Sequence, residues 1–262
     1  MTQPESRVGT VTLQQHGPIA LLTLSRPNAL NALTWTMYQQ LEEHLRHIEQ
    51  DTTIRVVVMR GEGKAFAAGT DIEQFQGFTR ADGIAYEREM EAIIERLYML
   101  PRPVLAAIHG YAVGAGVILA SACDLRYATP SSRFGVPVAR TLGNGLSIRN
   151  YKHITDAFGT MRAKEMLFTA RLLDAEEALD CQFLTAIVEE NRLLEHVMGI
   201  AQEMCELAPL TLWSVKEAHR RLSDAESFPP FEDVLVRIYE SKDFAEGVRA
   251  HIQKRKPLWT GK

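Results

Sequence analysis

Two periods of apolar residues alternate along the first half of the chain. GTVTLQQ and IALLTLS flank the turn signal His16-Gly17-Pro18 and predict a β-hairpin. From Thr34, a residue suited to capping a helix, Met37, Leu41, Leu45 and Ile48 recur at spacings of four, four and three, which predicts an amphipathic helix. IRVVVMRG then reads as a buried strand, and a glycine-bearing loop over Gly61 to Gly69 leads to a polar-faced helix over about Asp82 to Leu100. VLAAIHG is a further buried strand, a short helix starts near Gly114, and DLRYAT is strand-like again. This recurrence predicts an α/β (α+β) fold of β-β-α units wound into a coil of sheets.

Beyond Ser147 the period turns helical. Ser147 to Phe158, Ala175 to Asp180, Leu193 to Leu207, Thr211 to Leu222 and Ser241 to Arg255 all carry helical spacing. The expected organisation is a β-β-α core over residues 1–200 and a helical region over residues 201–262, with no Gly/Ser or Pro-rich linker between them.

Composition narrows the function classes. The chain has 262 residues, 46% of them hydrophobic, and a formal charge of −4 with no long block of one sign. That gives no footprint for nucleic acid or a membrane surface. Cys123, Cys181 and Cys205 are odd in number, far apart and outside any metal-ligand spacing, so a reducing, cytoplasmic setting is expected, with no metal site. The start MTQPESRVGT lacks the apolar stretch of a secretory signal. Pro103 to Cys123 carries no charge and approaches the ~20 residues of a membrane span. His109 and three glycines divide it into a strand and a helix of a buried core instead.

Two glycine sites carry the candidate chemistry. In KAFAAGTDI, Gly69 lets the backbone turn so that nearby amides face a cavity, and Asp71 is placed to cap the helix or turn after it. In GYAVGAG, Gly114 and Ala115 open a short helix, where unpaired N–H groups and partial positive charge gather. One amide from each site would suit a carbonyl oxygen that gains negative charge, as in a thioester. GYAVGAG lacks the Lys-Ser/Thr of a phosphate-binding P-loop and the downstream acid of a dinucleotide motif.

With these motifs in order, the chain resembles the enoyl-CoA hydratase/isomerase (crotonase) family. LSRPNALNAL resembles its first CoA-contacting segment, KAFAAGTDI and HGYAVGAGVILASACDLRYAT its two oxyanion segments, and DFAEGVRAHIQKRKP its closing helix with a basic end. The resemblance implies a β-β-α superhelix with a helical C-terminal trimerisation region, as a homotrimer or dimer of trimers. It implies oxyanion amides at Thr70 and Ala115, beside Gly69 and Gly114, and a CoA moiety bordered by Ala29, Leu30, Ala68 and Ile72. Lys254 is implied at the nucleotide phosphate. The partner is an acyl-CoA thioester, and no cofactor is expected beyond the coenzyme A of the substrate.

The chain departs from the family where hydration needs two glutamates. Ile118 stands at the first position and Val138, in FGVPVAR, at the second. Other groups are candidates: Arg140, Asn144 and Ser147 either enter the pocket or build a loop and cap, and Tyr86, Glu87 and Glu91 lie on the helix that forms the mobile side of the family's acyl pocket. Glu73 occupies a position where a basic residue is common, and His109 ends a strand. Two function classes stay open: an enzyme on acyl-CoA thioesters, hydrolytic or decarboxylating reactions included, and a non-catalytic acyl-CoA binder.

Overall fold

Both faces of the main sheet are buried, which is why its strands read as apolar runs with little alternation. The structure is a computed structural model that describes residues 8–207, 209–223, 236 and 239–258. The rest of the expected helical C-terminal region lies outside the described residues. No helix among the described residues is long and apolar enough to cross a membrane.

The expected hairpin forms from β1 (Thr10–His16) and β2 (Ile19–Ser25), paired antiparallel. β2 is joined across the sheet by β3 (Val56–Gly61) and β4 (Val104–Ile108), each parallel to its neighbour. The connections are α1 (Trp35–Gln50) and α2 (Arg80–Met99). Thr34 caps α1 by accepting from the Met37 amide, and Thr79 and Asp82 close a capping box on α2. Leu22, Leu24, Val57, Met59, Ala106 and Ile108 pack into one core with the buried face of α1. Their neighbours Ile19, Leu21, Val56, Val58, Leu105 and Ala107 pack into another beneath α8 (Leu193–Cys205). That alternation between two cores is the pleat of the strand.

After β4 the chain differs from expectation. A short strand, β5 (Tyr111–Val113), stands between the glycine turn and helix α3 (Ala115–Ser121). β6 (Leu125–Ala128) returns to the main sheet, whereas β7 (Arg133–Gly135) pairs with β5 in a second sheet completed by β8 (Leu173–Asp174). β9 (Ala186–Ile187) closes the main sheet beside β6. Strands of two or three residues carry too few positions for a period to show.

The later helices are α4 (Val138–Thr141), α5 (Ile148–Phe158), α6 (Thr160–Thr169), α7 (Ala175–Asp180), α8, α9 (Pro209–Ser223) and α10 (Lys242–Ile252). The apolar pattern does not predict α6. Met161 and Phe168 are exposed at 78% and 83%, so its apolar residues do not mark one buried stripe. α10 closes over one end of the core. Phe244 meets Phe75 edge-on, and Gly247 lies so close to Leu142 that a Cβ there would overlap the Leu142 carbonyl.

Candidate active site

Three backbone segments are laced together to form the site. The Ala68 amide donates to the Leu30 carbonyl at 2.9 Å, Leu33 donates to Gly69 at 2.7 Å, and Asp71 donates to Leu33 at 2.9 Å. Asn31, fully buried in a left-handed conformation (φ 57°), fixes the first segment: its side-chain nitrogen donates to the carbonyls of Glu62 and Ala65, and its Oδ1 accepts from the Arg26 amide. On the other side Ala67 donates to Tyr111 and Val113 donates to Ala67, which ties the Gly69 segment to β5.

This lacing brings both glycine sites to one place. Gly69 has φ 96° and Gly114 has φ 56°, values that L side chains rarely adopt. A Cβ on Gly69 would stand 3.3 Å from the Val113 carbonyl oxygen and 3.8 Å from the Ala115 nitrogen. Ala115 is the first residue of α3, so its N–H has no partner within the helix. Among the described residues the Thr70 and Ala115 amides donate to no backbone or side-chain acceptor.

The two amides edge a cavity of about 140 Å³. Its lining takes in Ala68, Gly69, Thr70, Ile72, Gly114, Ala115, Ile118 and Val138 together. Ala29 and Leu30 are outside the lining, and Leu30 is bonded to it through Ala68. Lys254 is exposed just past α10 and outside the lining, as is exposed Glu73. A larger cavity of about 400 Å³ against α9 holds neither glycine site; its Lys216 is paired with Asp124 at 2.7 Å.

Ile118 is buried at 2% exposure and Val138 begins α4, so hydrocarbon faces the cavity at both positions. Arg140 points away and donates to the Thr169 carbonyl. Ser147 caps α5, accepting from the Asn150 amide at 3.2 Å. Asn144 and Asn150 do line the cavity, and Asn144 Oδ1 and both side-chain amide atoms of Asn150 are buried without a hydrogen-bond partner among the described residues. His109 belongs elsewhere: its ring bonds the Gly63 carbonyl at 2.9 Å, and burial holds its pKa below the usual value.

One carboxylate reaches the cavity wall. Glu87, only 3% exposed, accepts from the Tyr239 hydroxyl at 2.8 Å on one oxygen and from the Ser147 amide at 3.2 Å on the other. Burial pushes its pKa up to about 7; the Tyr239 and Ser147 hydrogen bonds oppose that rise, and the nearby Glu91 charge adds to it. Gly83, one turn earlier on α2, makes room for this arrangement, because a Cβ there would overlap the Tyr239 ring. Glu91 is outside the lining and faces Arg149 at 3.6 Å. Tyr86, next to Glu87, shares a hydrogen bond with Thr70 Oγ1 at 2.8 Å, and Tyr38 shares one with the same oxygen at 2.7 Å. Glu87 is one of three candidates on its helix, and nothing local in sequence separates it from the others. Its distinction comes from Tyr239, 152 positions away.

Residues 14–262 match the family described as enoyl-CoA hydratase/isomerase. A probable enoyl-CoA hydratase from Rhizobium meliloti is 32% identical over 250 residues, covering 94% of this chain and 96% of its own length. The short-chain-enoyl-CoA hydratase of Clostridium acetobutylicum is 30% identical over 253 residues, covering 95% and 97%. Among solved structures, an enoyl-CoA hydratase/carnithine racemase from Magnetospirillum magneticum is similar at a TM-score of 0.79 and 34% identity, with 98% of each chain covered. A methylmalonyl-CoA decarboxylase in complex with 2-nitronate-propionyl-CoA is similar at 0.88 and 26% identity, covering 97% of this chain and 99% of that one.

Proposed function

Because the chain belongs to the enoyl-CoA hydratase/isomerase family, we propose that it is an enzyme acting on an acyl-CoA thioester whose carbonyl oxygen is held by the amides of Thr70 and Ala115. The observation that carries this is the pair of amides, unpartnered among the described residues, on the lining of one mostly apolar cavity. Each such donor is worth about 3–4 kcal/mol to a developing oxyanion. Coenzyme A would run past Ala29 and Leu30, outside the cavity that takes the acyl group, and past Ala68 and Ile72 on its lining. In the homotrimer or dimer of trimers that the family implies, Lys254 would reach the nucleotide phosphate from a neighbouring subunit.

The reaction in this reading is not the two-carboxylate addition of water. That chemistry needs one group on the water and another on the carbon, and Ile118 and Val138 supply neither. The non-catalytic binder is the weaker reading, because a cavity without an ionisable group would favour it and Glu87 lines this one.

The test is infrared difference spectroscopy of bound butyryl-CoA, with Ala115→Pro as the variant. Proline is tolerated at the first position of a helix, where it replaces the N–H by a ring methylene. Binding should move the thioester carbonyl stretch to lower frequency, and the variant should lose most of that displacement while still binding. A carbonyl stretch unchanged on binding to the wild type would refute the oxyanion reading.

A further inference from the structure

Three features of Glu87 ask for an explanation that a structural role does not provide. A buried carboxylate without a cationic partner is costly, and replacement by an apolar residue would relieve that cost. Yet each oxygen of Glu87 is oriented by a donor from a different part of the chain, Tyr239 and the Ser147 amide, and each keeps acceptor capacity free. The group also opens on the cavity that the two free amides edge.

We propose that Glu87 is the general base and acid of this site, moving a proton to and from the acyl carbon next to the thioester carbonyl. The assignment rests on the thioester reading above. The carboxylate takes a proton from C2, and the C2–H bond breaks. Its electron pair forms the C1–C2 double bond while the carbonyl pair moves onto oxygen, where the Thr70 and Ala115 amides hold the charge. The same carboxyl then returns the proton to carbon, so no water, oxidant or second base is consumed. The reactions open to such a site are exchange at C2 and migration of a double bond.

The surroundings suit a base that works near neutral pH. Burial raises the proton affinity of Glu87, which pairs with no cation among the described residues, and the two hydrogen bonds keep the ionised form within reach. Among the described residues the titratable groups facing it are Glu91 on the same helix, Tyr239 ahead of α10, and Tyr38 and Tyr86, which share Thr70 Oγ1. Burial holds all three tyrosines above their usual range, so they stay neutral where Glu87 titrates.

The experiment is loss of the C2 proton signal of butyryl-CoA in D₂O, monitored by proton NMR, with binding of the same compound measured by calorimetry. The wild type should exchange with a rate that rises through a midpoint near pH 7. Glu87→Gln should bind and lose about 10²–10⁴-fold in rate, and Glu87→Asp should recover part of it. Tyr239→Phe, which removes a donor to the carboxylate, should move the midpoint to higher pH; an unmoved midpoint overturns the assignment even where Glu87→Gln fails to fold. Binding without exchange in the wild type, or exchange at the wild-type rate in Glu87→Gln, also overturns it and leaves the thioester reading intact. Absence of binding overturns both.

Discussion

A Cβ on Gly116 would overlap the carbonyl oxygen of Ala67, so α3 rests directly on the backbone that carries Gly69 and Thr70. The spacing between the two free amides depends on that contact. Gly116→Ala is expected to destabilise the fold by about 3 kcal/mol, the upper end for overpacking, because the obstacle is backbone and cannot rotate away. Gly199→Ala is the control: it lies in α8 with nothing within 4 Å of its Cβ, and should stabilise by about 0.5–1 kcal/mol. Urea midpoints of the two variants, at constant slope, check the contrast.

The Thr70 hydroxyl and the Thr70 amide have separate duties. Thr70→Val keeps the amide but takes the Thr70 oxygen from Tyr38 and Tyr86, which keep Met90 Sδ as a weaker acceptor, so it should cost about 0.5–1.5 kcal/mol of stability. The carbonyl stretch of bound butyryl-CoA should stay displaced. A stretch that returns to its free position would show that the hydroxyl, not the amide, holds the oxygen.

Stability should fall as pH rises through the range where Glu87 titrates. In the unfolded chain the carboxyl ionises at an ordinary glutamate value, whereas in the folded protein it keeps its proton to about pH 7. The folded state therefore binds more protons between those values, and its stability drops there by roughly 3 kcal/mol in total. Glu87→Gln should lose this dependence, and its stability relative to the wild type should rise between pH 5 and about pH 8 by a similar amount. Parallel pH curves of melting temperature for the two proteins would contradict it.

Ile118→Glu with Val138→Glu should introduce hydration of crotonyl-CoA, since both positions line the cavity beside the free amides. A loss of stability is expected as well, because Ile118 is 2% exposed and a charge there lacks a partner. The loss of absorbance of the conjugated thioester reports the gain. A folded, CoA-binding double variant with no hydration would count against the geometry of the site.

Thiol labelling should track burial. Cys123, buried just past α3, has its pKa pushed up to about 12 by desolvation, and Cys205 is also buried with its pKa raised. Cys181 is half-buried, so iodoacetamide labelling with peptide mass spectrometry should find it alkylated first.

The hairpin, α1, the buried strands and the two glycine segments can all be read from the residues alone. Apolar period is a local property, and a glycine at a left-handed position such as Gly69 or Gly114 is written into one residue. The resemblance adds the family, and the positions Ile118 and Val138, empty of carboxylate, come from the same motifs. Other features depend on contacts between distant parts of the chain. The short strands β5, β7, β8 and β9 exist because their neighbours pair with them, and α6 forms without a buried stripe to announce it. Glu87 is the plainest case, because α2 also carries Asp82, Glu89, Glu91 and Glu95, and the helix pattern does not rank them. Of these carboxylates Glu87 alone lines the cavity, and Tyr239 and Ser147, 152 and 60 positions away, fold over it. A proton affinity set by distant neighbours has no local signature, so the sequence of the helix does not select Glu87 and the folded chain does.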